Sequence, residues 1–129
     1  GGHETTLSNN FERPVMVQYF PATVKAFYMK RVPGKEKCVL GMDMLAPEGY
    51  GEIVGGSMRE DDYETLLLRI KEHKLPLDAF QWYLDLRKYG TFPHGGYGLG
   101  LERVVAWVCG LLRIRETIAF PRMLEKIYP

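Results

Sequence analysis

Cysteine is scarce in this chain, and bulk charge of either sign is almost absent. The two cysteines, Cys38 and Cys109, are too few and too far apart for a disulfide framework or a zinc pattern, and they read as buried thiols in a reducing cytosol. The 17 basic residues nearly balance the 16 acidic ones, leaving a formal net charge of +1. Nucleic-acid binders advertise themselves by a basic patch, so any nucleic-acid contact is expected mostly outside this stretch. No apolar run approaches the roughly 20 residues that cross a bilayer, which argues against a membrane partner. No basic-then-apolar leader stands at the start; Gly1-Gly2-His3-Glu4-Thr5-Thr6 reads instead as the interior of a longer chain.

What is present is ordinary for a soluble globular protein: 129 residues, 46% hydrophobic and 26% charged. The length suits one domain or part of one, and no internal repeat, low-complexity segment or linker divides residues 1–129. Residues 14–20, 24–31, 37–45 and 52–58 read as strands, rich in branched and aromatic types and separated by a stop at Pro21, a Pro33-Gly34 turn and a loop over Ala46–Gly51. Short connections between them predict an antiparallel meander. The period then changes. Asp61 is placed to cap a helix with Glu64 as its capping-box partner, and Tyr63, Leu66, Leu67 and Ile70 follow at helical spacing. A second helix is predicted from about Pro76, a favoured first-turn residue, to about Lys88. Residues 97–101 read as a strand leading into a helix that runs to about Arg113. That helix carries Leu101, Val104, Val105, Val108, Leu111 and Leu112 on one stripe. Phe80, Trp82 and Tyr83 read as core. The fold class is α+β, an antiparallel sheet flanked by helices.

The most informative segment is Pro93-His94-Gly95-Gly96-Tyr97-Gly98-Leu99-Gly100-Leu101-Glu102-Arg103. Glycines inside a strand cost backbone entropy and offer no packing. Close approach of a flat or bulky ligand is one reason to keep them; tight helix–sheet packing is the other, and spacing alone leaves the two even. Arg103 opens the helix with a planar, permanent charge that can stack on a base or pair with phosphate. The pattern is neither a dinucleotide fingerprint nor a P-loop, which needs Gly-Lys-Ser/Thr. No histidine base stands near Ser57 in sequence, so its hydroxyl is read as structural rather than nucleophilic.

Gly98-Leu99-Gly100-Leu101-Glu102-Arg103 resembles motif 3 of the class II aminoacyl-tRNA synthetases. The longer string from Pro93 resembles the aspartyl, asparaginyl and lysyl branch. Glu52-Ile53-Val54-Gly55-Gly56-Ser57-Met58-Arg59, Lys25-Ala26-Phe27-Tyr28-Met29 and Tyr83-Leu84-Asp85-Leu86-Arg87-Lys88-Tyr89-Gly90 resemble its asparaginyl form. The likeness runs in order over residues 11–129 and implies the C-terminal part of such a catalytic domain. By that resemblance Arg103, with Gly98 and Gly100, binds ATP. Glu52 and Asp43 ligate Mg²⁺ on its phosphates, a sensible pairing because Mg²⁺ takes hard oxygen donors. Arg59 grips the amino acid's α-carboxylate, Gly55 and Gly56 let the substrate lie against the strand, and His94 stands near the ammonium or side chain. A solvated strand residue at Asp43, a surface arginine at Arg59 and a plain loop histidine at His94 are the competing readings.

The resemblance implies a cytoplasmic enzyme, homodimeric at full length, with ATP and Mg²⁺ as cofactors and asparagine (or aspartate) as substrate. It joins the amino acid to AMP and passes it to tRNA, which it holds through regions mostly outside these residues. Motifs 1 and 2 and the anticodon-reading barrel of the family have no counterpart here, so residues 1–129 alone are expected to be inactive. Three alternatives stand beside this reading: a tRNA-independent paralogue making asparagine from aspartate, an aspartyl enzyme, and a non-catalytic domain that kept the fold. The last is opposed by the retention of Glu52, Arg59 and Arg103.

Overall fold

A computed structural model describes residues 2–128. Helix α1 (Gly2–Ser8) was not anticipated; its last residue, Ser8, is buried and its hydroxyl donates to the Thr5 carbonyl at 3.1 Å. Strand β1 (Val15–Gln18) falls inside the expected 14–20. The strand expected over 24–31 does not form. Ala22–Val24 make a short 3-10 turn, and only Arg31–Val32 extend, as β2. Phe27 and Tyr28, whose type suggested a strand, pack instead against a helical cluster, a tertiary override of local β-propensity. Strand β3 (Lys35–Val39) pairs antiparallel with β2 across a turn in which Gly34 has φ +75°, a conformation suited to glycine.

The third expected strand, 37–45, breaks at Leu40 into β3 and β4 (Gly41–Ala46), which belong to different sheets. Leu40 turns its backbone both ways: its N–H donates to the Lys30 carbonyl at 2.8 Å and its carbonyl accepts from Met58 N at 2.9 Å. Strand β5 (Gly51–Met58) matches expectation.

Helix α2 (Tyr63–Glu72) is capped by Asp62, whose carboxylate accepts from Thr65 N at 2.8 Å. The expected cap, Asp61, is instead drawn to the Lys30 ammonium. Helix α3 (Leu77–Lys88) begins after Pro76, which sits at the cap position. Strand β6 (Gly95–Leu99) starts earlier than expected. Helix α4 (Leu101–Cys109) stops at Gly110 rather than near Arg113, because Gly110 takes the left-handed conformation, φ +66°, that ends helices. The main sheet has the order β1-β4-β5-β6, so the four expected strands are not a simple meander: the β2–β3 ribbon intervenes between β1 and β4.

The described residues gather into two compact units. The first comprises the residues up to Met16, Asp43–Gly55, and those from Gly98 onward; the second comprises Val17–Met42 and Gly56–Tyr97. The chain passes between them inside strands rather than in loops, which is why no linker composition marks the passages. In the second unit, Leu66 and Ile70 of α2 and Leu84 of α3 form a buried cluster, with Phe27, Tyr28 and Phe80 packed on it. Trp82 lies outside this core at 64% exposure, against expectation. In the first unit Leu45, Ala46, Ile53 and Ala106 are buried. The apolar stripe expected on α4 is largely open: Leu101, Val108 and Leu112 are exposed. The cysteines are not both buried either, since Cys109, the last residue of α4, is exposed and Cys38 is half-buried. Among the described residues no helix is long and apolar enough to cross a membrane.

Candidate active site

The residues singled out from sequence fall into two groups, one in each unit. In the first unit, Asp43 on β4 is buried while Glu52 on β5 is exposed. Both carboxylates reach toward the backbone of Gly55: a Cβ there would stand 2.6 Å from Glu52 Oε1 and 3.4 Å from Asp43 Oδ1. Glycine at this position therefore vacates a cradle that two carboxylates share. Two hard oxygen donors facing one glycine suit Mg²⁺, which usually takes one or two protein carboxylates and completes its shell with phosphate oxygens and water. No group of three or more His, Cys, Asp or Glu side chains converges among the described residues, so this pair is not a self-sufficient metal cage.

Farther along the same unit, β6 turns into α4. Among the described residues a Cβ on Gly98 would meet no atom within 4 Å, so packing against them does not require glycine there. Gly100 differs: a Cβ would lie 3.1 Å from Arg103 Cδ, so the bare backbone lets the arginine stem lie across it. Gly100 N donates to the Ile53 carbonyl at 2.9 Å, pinning the start of α4 to β5. Among the described residues no side chain caps that helix start, and a helix N-terminus carries N–H groups and a positive dipole end that suit an anion. Arg103 is exposed and borders a hollow of about 190 Å³ shared with Gly49, Tyr50, Ala106 and Leu111.

In the second unit Arg59 is half-buried just beyond β5. Its Nη1 donates to Ser57 Oγ at 2.5 Å, and its guanidinium carbon lies 4.7 Å from the centre of the Tyr28 ring. A Cβ on Gly96 would stand 3.0 Å from its Nη2. The Arg59 N–H donates to the His94 carbonyl at 2.9 Å. The His94 ring turns to its own loop, Nδ1 donating to the Phe92 carbonyl at 2.8 Å. Gly56 has a packing reason to be glycine, since a Cβ there would be 3.0 Å from Tyr97 Cβ. Gly56, Ser57, Gly96 and Tyr97 also line a hollow of about 340 Å³. Arg59 borders a different hollow of similar size, with Tyr28, Phe80, Trp82 and Tyr83.

Close by, Lys30 and Asp61 form an ion pair. The hydrogen bond from Lys30 is the main cause holding the Asp61 carboxyl below its ordinary range, and the same bond raises the Lys30 ammonium. Sequence reasoning missed the partners of Arg59. The alternation of Ser57 and Arg59 on one extended segment was the signal for the first; Tyr28 stood out only within the family-like string Lys25–Met29, with nothing to tie it to Arg59.

The family model for class II tRNA synthetases (D, K and N) matches residues 2–124. The chain is 60% identical over 129 residues to the asparagine–tRNA ligase of Sorangium cellulosum (strain So ce56), covering all of this chain and 29% of that protein. It is 58% identical over 127 residues to the asparagine–tRNA ligase of Desulforamulus reducens, covering 98% of this chain and 30% of that protein. Its fold matches the asparaginyl-tRNA synthetase of Pyrococcus horikoshii complexed with asparaginyl-adenylate, with a TM-score of 0.95 at 53% identity over 99% of this chain and 30% of that one. The chain thus spans about 30% of the length of these relatives. With the two carboxylates at Gly55, the arginine laid over Gly100 and a family model covering nearly every residue, the chain belongs to the class II tRNA synthetases (D, K and N).

Proposed function

We propose that this chain serves an asparagine–tRNA ligase, in which asparagine is activated by ATP and then transferred to tRNA. The carboxylate pair at Gly55 is the observation that carries this reading. The asparagine carboxylate attacks the α-phosphorus of ATP, pyrophosphate leaves, and the acyl group of the adenylate passes to the terminal ribose hydroxyl of tRNA. In the first unit, Glu52 and Asp43 would hold Mg²⁺, which when bound neutralises phosphate charge. Arg103 adds a fixed cation, the uncapped start of α4 adds a second electropositive element, and Gly98 leaves space for the nucleotide. In the second unit, Arg59 offers a planar fork that matches a carboxylate in two parallel bonds, with Gly56 in the floor of the neighbouring hollow and His94 anchoring the loop beside it. No covalent enzyme intermediate is required; positioning and preset charge supply the catalysis.

The asparagine–tRNA ligase relatives and the adenylate-bound structural neighbour support asparagine over aspartate, and tRNA transfer over tRNA-independent amide formation. A homodimer, a cytoplasmic location and tRNA contacts made mostly by other regions belong to the same proposal. Titration calorimetry of the full-length gene product with ATP and Mg²⁺ tests the nucleotide half. Binding that Glu52→Gln weakens by tenfold or more supports it; absence of binding favours a non-catalytic role.

A further inference from the structure

An arginine that must present its fork to a carboxylate has a long, flexible stem, and the entropy of fixing it opposes binding unless the protein has already fixed it. Arg59 is fixed from several sides. Ser57 Oγ accepts from Nη1, and Ser57 is itself buried at 8% exposure. The Tyr28 ring supports the guanidinium at 4.7 Å. The backbone at Gly96 lies so close to Nη2 that a Cβ would come within 3.0 Å. Gly96 also lines the glycine-floored hollow.

The Tyr28 support is itself anchored. The Tyr28 carbonyl accepts from Glu60 N at 2.8 Å, Lys30 N donates to the Met58 carbonyl at 2.9 Å, and Met29 bridges to Arg59. The ring meets Phe27 edge-on at 5.4 Å, and Phe27 meets Phe80 of α3 at 5.1 Å. A chain of aromatic contacts therefore links the helical core to the guanidinium. This accounts for the failure of residues 24–31 to form a regular strand: the segment places a ring under Arg59.

We propose that Tyr28 and Ser57 are positioning residues for Arg59, the ring setting the plane of its guanidinium and the hydroxyl setting its rotation. The proposal rests on the reading of Arg59 as the group that binds the amino acid's carboxylate. Removing either support leaves the charge in place but lets the fork turn, so asparagine binding weakens while ATP binding does not. A contact of this kind is modest at a partly open site, and about a three- to tenfold effect is expected for each.

The test is steady-state ATP–pyrophosphate exchange on the full-length gene product, comparing Tyr28→Leu, Tyr28→Phe, Ser57→Ala and Ser57→Thr. Tyr28→Leu and Ser57→Ala should raise KM for asparagine about three- to tenfold with KM for ATP within twofold of wild type. The conservative Tyr28→Phe and Ser57→Thr, which keep the ring and the hydroxyl, should restore most of the loss. Unchanged KM for asparagine in both disruptive variants overturns the proposal, as does a parallel rise of both KM values. Should Tyr28→Leu fail to fold, the smaller Ser57→Ala change decides alone. Arg59→Ala separates the two levels: if it spares asparagine binding, the reading of Arg59 itself falls. If it abolishes binding while Tyr28→Leu and Ser57→Ala do not, only the positioning role falls.

Discussion

The Oε1 of Glu52 lies 2.6 Å from where a Cβ on Gly55 would stand, and Asp43 Oδ1 of β4 lies 3.4 Å from the same point. A methyl group there must displace the Glu52 carboxylate, the flexible end of an exposed side chain, so folding should tolerate it better than chemistry does. Gly55→Ala is expected to lower exchange activity by about 10²-fold, the scale on which small misplacements act, and to shift the Mg²⁺ dependence to higher concentration. Rate measurements across a Mg²⁺ series check this; an unchanged Mg²⁺ profile would show that the pair does not hold the ion.

Gly98 separates stability from activity in a different way. No atom of the described residues lies within 4 Å of a Cβ built on it, so Gly98→Ala should leave stability unchanged or raise it by about 0.4–1 kcal/mol through the unfolded chain. If the vacancy is the nucleotide's, KM for ATP rises at least about tenfold in the same variant. Thermal unfolding and exchange kinetics on one preparation provide both readouts. Unaltered ATP kinetics would return Gly98 to a bland surface role.

Arg87 was quoted in the sequence only as part of a family-like string, yet it is buried at 6% exposure. Its Nε donates to the Glu60 carbonyl at 2.9 Å, and its two terminal nitrogens reach the Tyr83 carbonyl and hydroxyl at 3.2 and 3.0 Å. It thus ties α3 to the segment just after Arg59. Arg87→Met strands a carbonyl, and the expected destabilisation is about 1–3 kcal/mol. Arg87→Lys should not rescue it, because a point charge cannot replace the fork. Denaturant unfolding of the variants measures both.

The pair of Lys30 and Asp61 fixes the direction of pH dependence. The Asp61 carboxyl is lowered by its bond from Lys30 and the Asp62 carboxyl by its cap to Thr65. Their stabilisation is complete above the ordinary carboxylate value of about 3.9 and lost as pH falls through the lowered values. Lys30 is raised, so its contribution is complete below the ordinary lysine value of about 10.4 and lost as pH rises through the raised value. Asp61→Asn should therefore lower the melting temperature near neutrality, with the difference from wild type shrinking as pH falls below the ordinary carboxylate value of about 3.9. Melting curves from pH 2 to 8 would contradict this if the difference persisted at the acid end.

Strong local signals were legible. The β5 segment, both long helices and the Pro33-Gly34 turn could be placed from residue type and period alone. What could not be read was decided by tertiary contacts. Residues 24–31 have strand composition, but Phe27 and Tyr28 are taken by the α2–α3 cluster. Leu40 breaks a run that looks continuous because its N–H and carbonyl serve different partners. Asp61 was the cap expected from sequence, but the Lys30 ammonium engages it and Asp62 caps the helix instead. For the site, the glycines were visible but their reasons were not: Gly56 is held by Tyr97, Gly100 by Arg103, Gly55 by two carboxylates, and Gly98 by no atom of the described residues.

The central claim is that asparagine is activated by ATP in the protein that carries this chain. Amino-acid-dependent ATP–pyrophosphate exchange on the full-length gene product, run with asparagine, aspartate and lysine in parallel, tests it most directly. Exchange is expected with asparagine alone, lost in Arg59→Ala and Arg103→Ala and absent from residues 1–129 in isolation. Exchange supported by aspartate as well as by asparagine, or by neither, would contradict it.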